Sequence, residues 1–191
     1  MERFELSKKS YLKYNPKFYN ISNEDYKELL ESCPKFQHEI IIYGKKIKIP
    51  RFQQAYGKSY QYSGTTSEAI PMTRLIKDIR NKISKDLYPN INFNNCLVNW
   101  YLDGDNYISF HSDDEKEIVK NTPIVGITFC EGVARKLRIK DKKSKKTIKD
   151  IITSNGSLYV MEGEFQNEFL HGIPKQKKSG KRISLTFRSF I

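Results

Sequence analysis

Apolar positions recur along this chain with two different periods, and the change from one to the other divides it. In "SEAIPMTRLIKDIRNKISKDLYP" Met72, Leu75, Ile76, Ile79, Ile83 and Leu87 recur at steps of three and four, with Pro71 near the start and Pro89 blocking continuation. That spacing predicts one main helix whose stripe is core. "ISNEDYKELLES" predicts a shorter one, because Ser22 stands three residues before Asp25 as in a capping box and Tyr26, Leu29 and Leu30 share a stripe. From Asn95 onward the period shortens to that of strands. "CLVNWYL", "YISFH", "IVGITFC", "RKLRIK", "SLYVM" and "RISLTFRSF" are β-rich runs separated by turns. Short strands in series after two helices predict an α+β, mainly β, class: a jelly-roll or sandwich-like β core with N-terminal helices packed on one face.

Composition narrows this further. With 191 residues and no Gly/Ser/Pro-rich linker the chain is read as one domain. Hydrophobic residues at 38% and aromatics at 13% suffice for a packed core, so disorder is expected only near the first ten or so residues. No run approaches the roughly eighteen apolar residues of a membrane span, and "MERFELSKKSY" lacks a signal peptide's apolar stretch. A soluble, intracellular monomer with no membrane partner is expected, nucleus or cytoplasm left open. Cys33, Cys96 and Cys130 are odd in number and far apart, which suggests buried, reduced thiols rather than a disulfide framework or a thiolate zinc site. The charge says more: 34 basic against 22 acidic side chains give +12, bunched in "KDKKSKKTIK" (140–149) and "KQKKSGKR" (175–182). Such runs release counterions when they lie on phosphate, which favours a nucleic acid over a merely solubilising surface.

Candidate chemistry starts at "HSDDE", residues 111–115. On a strand running out of "YISFH", His111 and Asp113 share parity and can reach one ion. A third ligand must come from elsewhere, and the other histidines are His38 and His171. His171, in "FLHGIPK" just before the final strand, suits a partner brought alongside by antiparallel pairing. Two histidines and a carboxylate on one face suit non-haem iron(II) that handles O2, although an H-x-D pair alone arises by chance in many chains. The last strand adds weight. In "RISLTFR", Ile183, Leu185 and Phe187 share one face, while Arg182, Ser184, Thr186 and Arg188 share the other. Two arginines facing a β interior are costly unless anions meet them, and at about 20 Å between Cα atoms they could grasp both ends of a small diacid. An edge strand with both arginines in water has the same alternation.

Together "NWYLDGDNYISFHSDDE", "VMEGEFQNEFLHGIPK" and "RISLTFR" resemble the AlkB-type 2-oxoglutarate and Fe(II)-dependent dioxygenases, in particular their nucleic-acid repair branch. N-x-Y, H-x-D-D-E, a distal His with a proline beyond it and R-x-x-x-x-x-R occur in the family's order, over roughly residues 40–191. The resemblance implies a double-stranded β-helix (jelly-roll) core over residues 95–191, preceded by a leading segment and helix (1–37), a nucleotide-recognition lid (38–66), and the main helix with its connection (67–94). It implies Fe(II) held by His111, Asp113 and His171, with 2-oxoglutarate and O2 as co-substrates. Arg182 would meet the distal carboxylate of 2-oxoglutarate and Arg188 the end nearer the metal, with Asn99 and Tyr101 hydrogen-bonding it from a neighbouring strand. "YGKKIKIPRFQQAYGKSYQYSG" is similar to the family's lid. There Tyr62, with Tyr60 beside it, would stack on a flipped base, Tyr43 would fill the vacated gap and Arg51 would hold phosphate, while Glu115, four residues after His111, would read an exocyclic amino group.

The implied activity is oxidative demethylation of 1-methyladenine and 3-methylcytosine type lesions in DNA or RNA, a direct reversal of alkylation damage that releases formaldehyde, succinate and CO2. Two other classes compete. A nucleic-acid-binding module with an idle site is opposed by the complete triad and both arginines; a dioxygenase acting on a protein side chain is opposed by the aromatic lid and the +12 charge.

Overall fold

The chain opens on strands β1 (Glu2–Ser7) and β2 (Ser10–Asn15) and helix α1 (Asn23–Glu31), in a computed structural model that describes residues 1–42, 44–62 and 65–191, with backbone alone at 42, 60–62 and 65–67. Short strands follow: β3 (Glu39–Ile42), β4 (Lys45–Lys48), β5 (Phe52–Gly57), β6 (Tyr60–Tyr62), β7 (Thr65–Ser67) and β8 (Ala69–Ile70). After helix α2 (Arg74–Asp86) come β9 (Asn95–Tyr101), β10 (Ile108–His111), β11 (Ile124–Cys130), β12 (Arg135–Asp141), β13 (Thr147–Thr153) and β14 (Ser157–Gly163). Helix α3 (Phe165–Glu168), β15 (Phe169–Ile173) and β16 (Arg182–Arg188) complete it. The major sheet has the order β1-β2-β14-β11-β16-β9-β5-β8 and the minor sheet β10-β15-β12-β13, two layers of a jelly roll.

Both helices form where their stripes predict them, and both have caps. The Ser22 hydroxyl accepts from the Asp25 N–H at 3.0 Å, and the Thr73 hydroxyl from the Ile76 N–H at 3.3 Å. Helix α2 sinks Leu75, Ile76, Ile79 and Ile83 onto the outer face of the major sheet, in one cluster with Val98, Trp100, Val125 and Phe187. Trp100, wholly buried, donates its indole N–H to the Leu29 carbonyl at 2.9 Å and so ties α1 to the same face. A second cluster, including Leu12, Ile124, Leu137, Ile139 and Phe169, fills the space between the sheets.

Strand β16 decides where the site lies. It pairs with β11 on one side and β9 on the other, so it is a central strand, and all of its residues are buried. Ile183, Leu185 and Phe187 join the helix-covered core. Arg182, Ser184, Thr186 and Arg188 line the interior pocket instead, which disposes of the solvent-edge alternative.

Several expectations are corrected. The first ten residues are not disordered: β1 and β2 form a hairpin, and β2 extends the major sheet by pairing with β14, with Leu12 fully buried. Alternation in "RFELS" and "YLKYN" carried that signal. Of the three thiols, all free, only Cys96 is buried; Cys33 and Cys130 are partly exposed. The segment expected to be a lid is divided. β3–β4 and β6–β7 are separate two-stranded hairpins, but β5 between them pairs with β9 inside the major sheet.

Ile79 is fully buried at the middle of α2's apolar stripe. Truncation to Ala is expected to cost about 2–5 kcal/mol, read as a lower urea midpoint at unchanged m-value.

Candidate metal centre and anion pocket

Strands β10 and β15 run antiparallel with His111 directly opposite His171. Both rings therefore face the interior from adjacent strands, their centroids 4.4 Å apart. Where β10 ends at His111, the chain turns and brings Asp113 back beneath them. Nε2 of His111 lies 3.3 Å and Nε2 of His171 3.8 Å from Asp113 Oδ1, and one ligand atom from each residue falls within 4.8 Å of the others.

The surroundings fix these groups as electron-pair donors. His111 Nδ1 sits 2.8 Å from the Ser109 carbonyl, which places the proton on Nδ1 and leaves the Nε2 lone pair facing Asp113. Burial pushes His171 down to about 3, so its ring is neutral near pH 7. Burial pushes the Asp113 carboxyl up, but the neighbouring charge, that of the Arg188 guanidinium foremost, outweighs this and holds it well below the carboxylate range. Arg188 donates from Nη2 to Asp113 Oδ2 at 2.9 Å, and the Asp113 N–H donates to Gln166 Oε1 at 2.9 Å. An anionic carboxylate and two lone-pair nitrogens crowded at this range form a donor set that a divalent cation satisfies. Two nitrogens and one oxygen with open positions beside them suit Fe(II).

The pocket beside this cluster is floored by β5, β9 and β16. Arg182, 1% exposed, donates from Nε to Thr153 Oγ1 at 3.2 Å and from Nη2 to Thr128 Oγ1 at 3.1 Å. Its Nη1 is buried with no partner among the described residues, and its guanidinium carbon stands 5.1 Å from the centre of the Tyr101 ring. Two neutral hydroxyls do not compensate a charge that cannot be discharged by proton loss. A carboxylate entering the pocket does, so the residues present fit a dicarboxylate reaching from Arg182 towards the His–Asp–His cluster.

All four residues expected at the co-substrate, Asn99, Tyr101, Arg182 and Arg188, line this one pocket with the three ligand candidates and Glu115. Glu115 Oε2 is buried without a partner, and burial raises its pKa, only partly offset by Arg188. Arg51 needs correction. It was expected at a phosphate, but it is 4% exposed and donates from Nε to Asn99 Oδ1 at 2.8 Å and from Nη2 to Gln53 Oε1 at 3.2 Å. A guanidinium so placed orients Asn99; it is not displayed to solvent. Tyr43 lies outside the described residues, as do the side chains of Tyr60 and Tyr62, whose backbones form part of β6.

Sequence reasoning missed Thr128, Thr153, Gln53 and Gln166. Thr128 had a signal, since in "IVGITFC" it falls on the face opposite Val125, Ile127 and Phe129, the same division as in β16. Gln166 had none, because its role depends on where α3 sits in space. The basic run at 140–149 spans the β12–β13 hairpin, and its Lys142 donates to the Gln166 carbonyl at 3.1 Å and lies 3.9 Å from Asp114.

Comparison with known proteins places the geometry in company. Residues 14–188 match the 2OG-Fe(II) oxygenase superfamily. The chain is 31% identical over 161 residues to the DNA oxidative demethylase ALKBH2 of Bos taurus, covering 78% of this chain and 56% of that protein. It is 27% identical over 187 residues to the alpha-ketoglutarate-dependent dioxygenase alkB homolog 3 of Homo sapiens, covering 91% of this chain and 64% of that one. It thus spans less than two thirds of the length of either relative. Among solved structures, that of OsALKBH1 superposes with a TM-score of 0.63 at 14% identity, over 98% of this chain and 100% of that one, a likeness of fold.

Gln166 touches no metal but fixes the Asp113 backbone. Gln166→Ala is expected to weaken ferrous-ion binding roughly 10–100-fold, the range for groups that orient metal ligands, as measured by anaerobic equilibrium dialysis.

Proposed function

The chain belongs to the 2OG-Fe(II) oxygenase superfamily, and from that premise we propose that it oxidatively demethylates N-alkylated bases of the 1-methyladenine and 3-methylcytosine type in nucleic acid. The observation that carries the reading is the buried Arg182 guanidinium, lacking an anion, in the same pocket as the His111–Asp113–His171 donor set. Fe(II), 2-oxoglutarate and O2 supply the oxidising power when bound, so that an N-methyl group is hydroxylated while the keto acid becomes succinate and CO2, and the hydroxymethyl group leaves as formaldehyde.

The chain's own residues orient and select. Arg182, backed by Thr128 and Thr153, fixes one carboxylate of the keto acid. Arg188, already on Asp113, stands at the metal end and holds the ligand carboxylate ionised. Asn99, held by Arg51, and Tyr101 present polar atoms along the floor. Glu115 presents an unpartnered carboxylate oxygen to the pocket, as needed to accept from an exocyclic amino group. Packed side chains around the pocket keep bulk water away, which strengthens each of these contacts.

Two further observations support a nucleic acid as the substrate. Relatives with named activities include DNA oxidative demethylases, and the +12 charge suits a polyanion. A base must leave its stack to reach a pocket this deep, and Tyr43, Tyr60 and Tyr62 are the rings proposed to receive it or fill its place. The same charge argues against a protein side chain as the substrate.

The test is formaldehyde release, dependent on O2 and 2-oxoglutarate, from oligonucleotides carrying 1-methyladenine or 3-methylcytosine. His111→Ala and Asp113→Ala are expected to abolish release while oligonucleotide binding, which should weaken steeply with added salt, persists. Parallel assays on single-stranded DNA, duplex DNA and RNA assign the preferred substrate. No release from any of them, with 2-oxoglutarate turned over on a peptide instead, would overturn the proposal.

A further inference from the structure

Tyr159 of β14 lines the pocket but has no part in the scheme above. It is 4% exposed, and its hydroxyl, which is not sealed from the pocket, has no hydrogen-bond partner among the described residues. Tyrosines this buried ordinarily place the hydroxyl on a partner.

Its placement follows from the register. Tyr159 stands opposite Gly126 on β11, and Gly126 stands opposite Thr186 on β16. Directly opposed residues share a face, so this row enters the pocket between the rows of Arg182 and Arg188. At the middle position there is no side chain. A Cβ built on Gly126 would lie 2.1 Å from Tyr159 Cζ and 2.4 Å from its Oη. The ring therefore lies across β11 in the space that any other residue would fill, and it carries the hydroxyl inward from the pocket's far wall. φ at Gly126 is not in the left-handed region, so the backbone there does not call for glycine; room for the ring does. Burial raises the Tyr159 pKa, which keeps the phenol in its donating form.

We propose that Tyr159 is a further positioning residue for the bound keto diacid, its phenol donating a hydrogen bond to the ligand between the Arg182 and Arg188 ends and its ring limiting the length of diacid that fits. This rests on the reading of the pocket as a 2-oxoglutarate site. The donor faces an anion held by guanidinium groups at its ends, so the bond is of the charge-assisted kind. Gly126 belongs to the same device, since it makes the space that the ring occupies.

The test is calorimetric binding of 2-oxoglutarate to the full chain with Mn(II) in place of Fe(II), which needs no turnover. Tyr159→Phe is expected to weaken binding about tenfold or more, with Mn(II) affinity and the ligand-free thermal midpoint unchanged. Tyr159→Leu opens the far wall and is expected to raise affinity for 2-oxoadipate, one carbon longer, relative to 2-oxoglutarate. An unchanged 2-oxoglutarate affinity in Tyr159→Phe overturns the hydrogen-bonding role. A wild-type preference between the two diacids in Tyr159→Leu overturns the length-limiting one. Wild-type chain that takes up Mn(II) but no 2-oxoglutarate overturns the reading of the pocket together with this inference, an outcome distinct from failure of the variants alone.

Discussion

A guanidinium sealed from water needs its donors met by acceptors, and best by a negative charge, because arginine cannot escape the cost of burial by giving up its proton. This chain seals three on the floor of one cavity: Arg51, Arg182 and Arg188. Arg188 has Asp113, a full charge. Arg51 has amide oxygens and Arg182 has hydroxyls, neutral partners that orient without compensating. The pocket is thus electropositive, and a small dianion is the ligand that balances it. The same surplus explains how Asp113 can remain ionised at full burial, and so remain a metal ligand.

The fold delivers this arrangement by dividing each strand between two environments. β16 sits at the centre of the major sheet with helices over one face, so its apolar residues have a core to enter and its polar ones have only the interior to face. β10 and β15 form an adjacent pair at one edge of the minor sheet, and their opposed histidines approach across the interior. The metal cluster and the anion pocket are therefore set by two sheets packed on each other, and their separation is held by the cluster of Leu137, Ile139, Ile173 and their neighbours between the layers.

Much of this was legible along the chain. Helix α2 followed from its stripe and its prolines, β16 from period-two alternation, and the pairing of His171 with His111 from its position before the last strand. What escaped notice has physical reasons. The β1–β2 hairpin was obscured by its lysines and lack of a long apolar run, though its alternation was readable and its Leu12 is core. Arg51 was misplaced because a P-R pair in a basic stretch reads as surface; only the pairing of β5 with β9 turns it inward. Gln166 reaches Asp113 from 53 positions away, and Thr153 reaches Arg182 from 29. Such long-range partners leave no local pattern.

The misplaced arginine bears on how recognition is joined to chemistry. β3–β4 and β6–β7 lie outside both main sheets, each as its own two-stranded ribbon. Isolated ribbons have marginal stability, which suits the adaptable surface that the proposed function asks of them. Between them the chain passes through β5, a full member of the major sheet, and Arg51 at its start is bonded to Asn99 on the pocket floor. Both ribbons therefore adjoin a strand that is anchored in the major sheet and, through Arg51, on the wall of the pocket. The Arg51–Asn99 contact is a charged hydrogen bond in a dry interior and resists being broken.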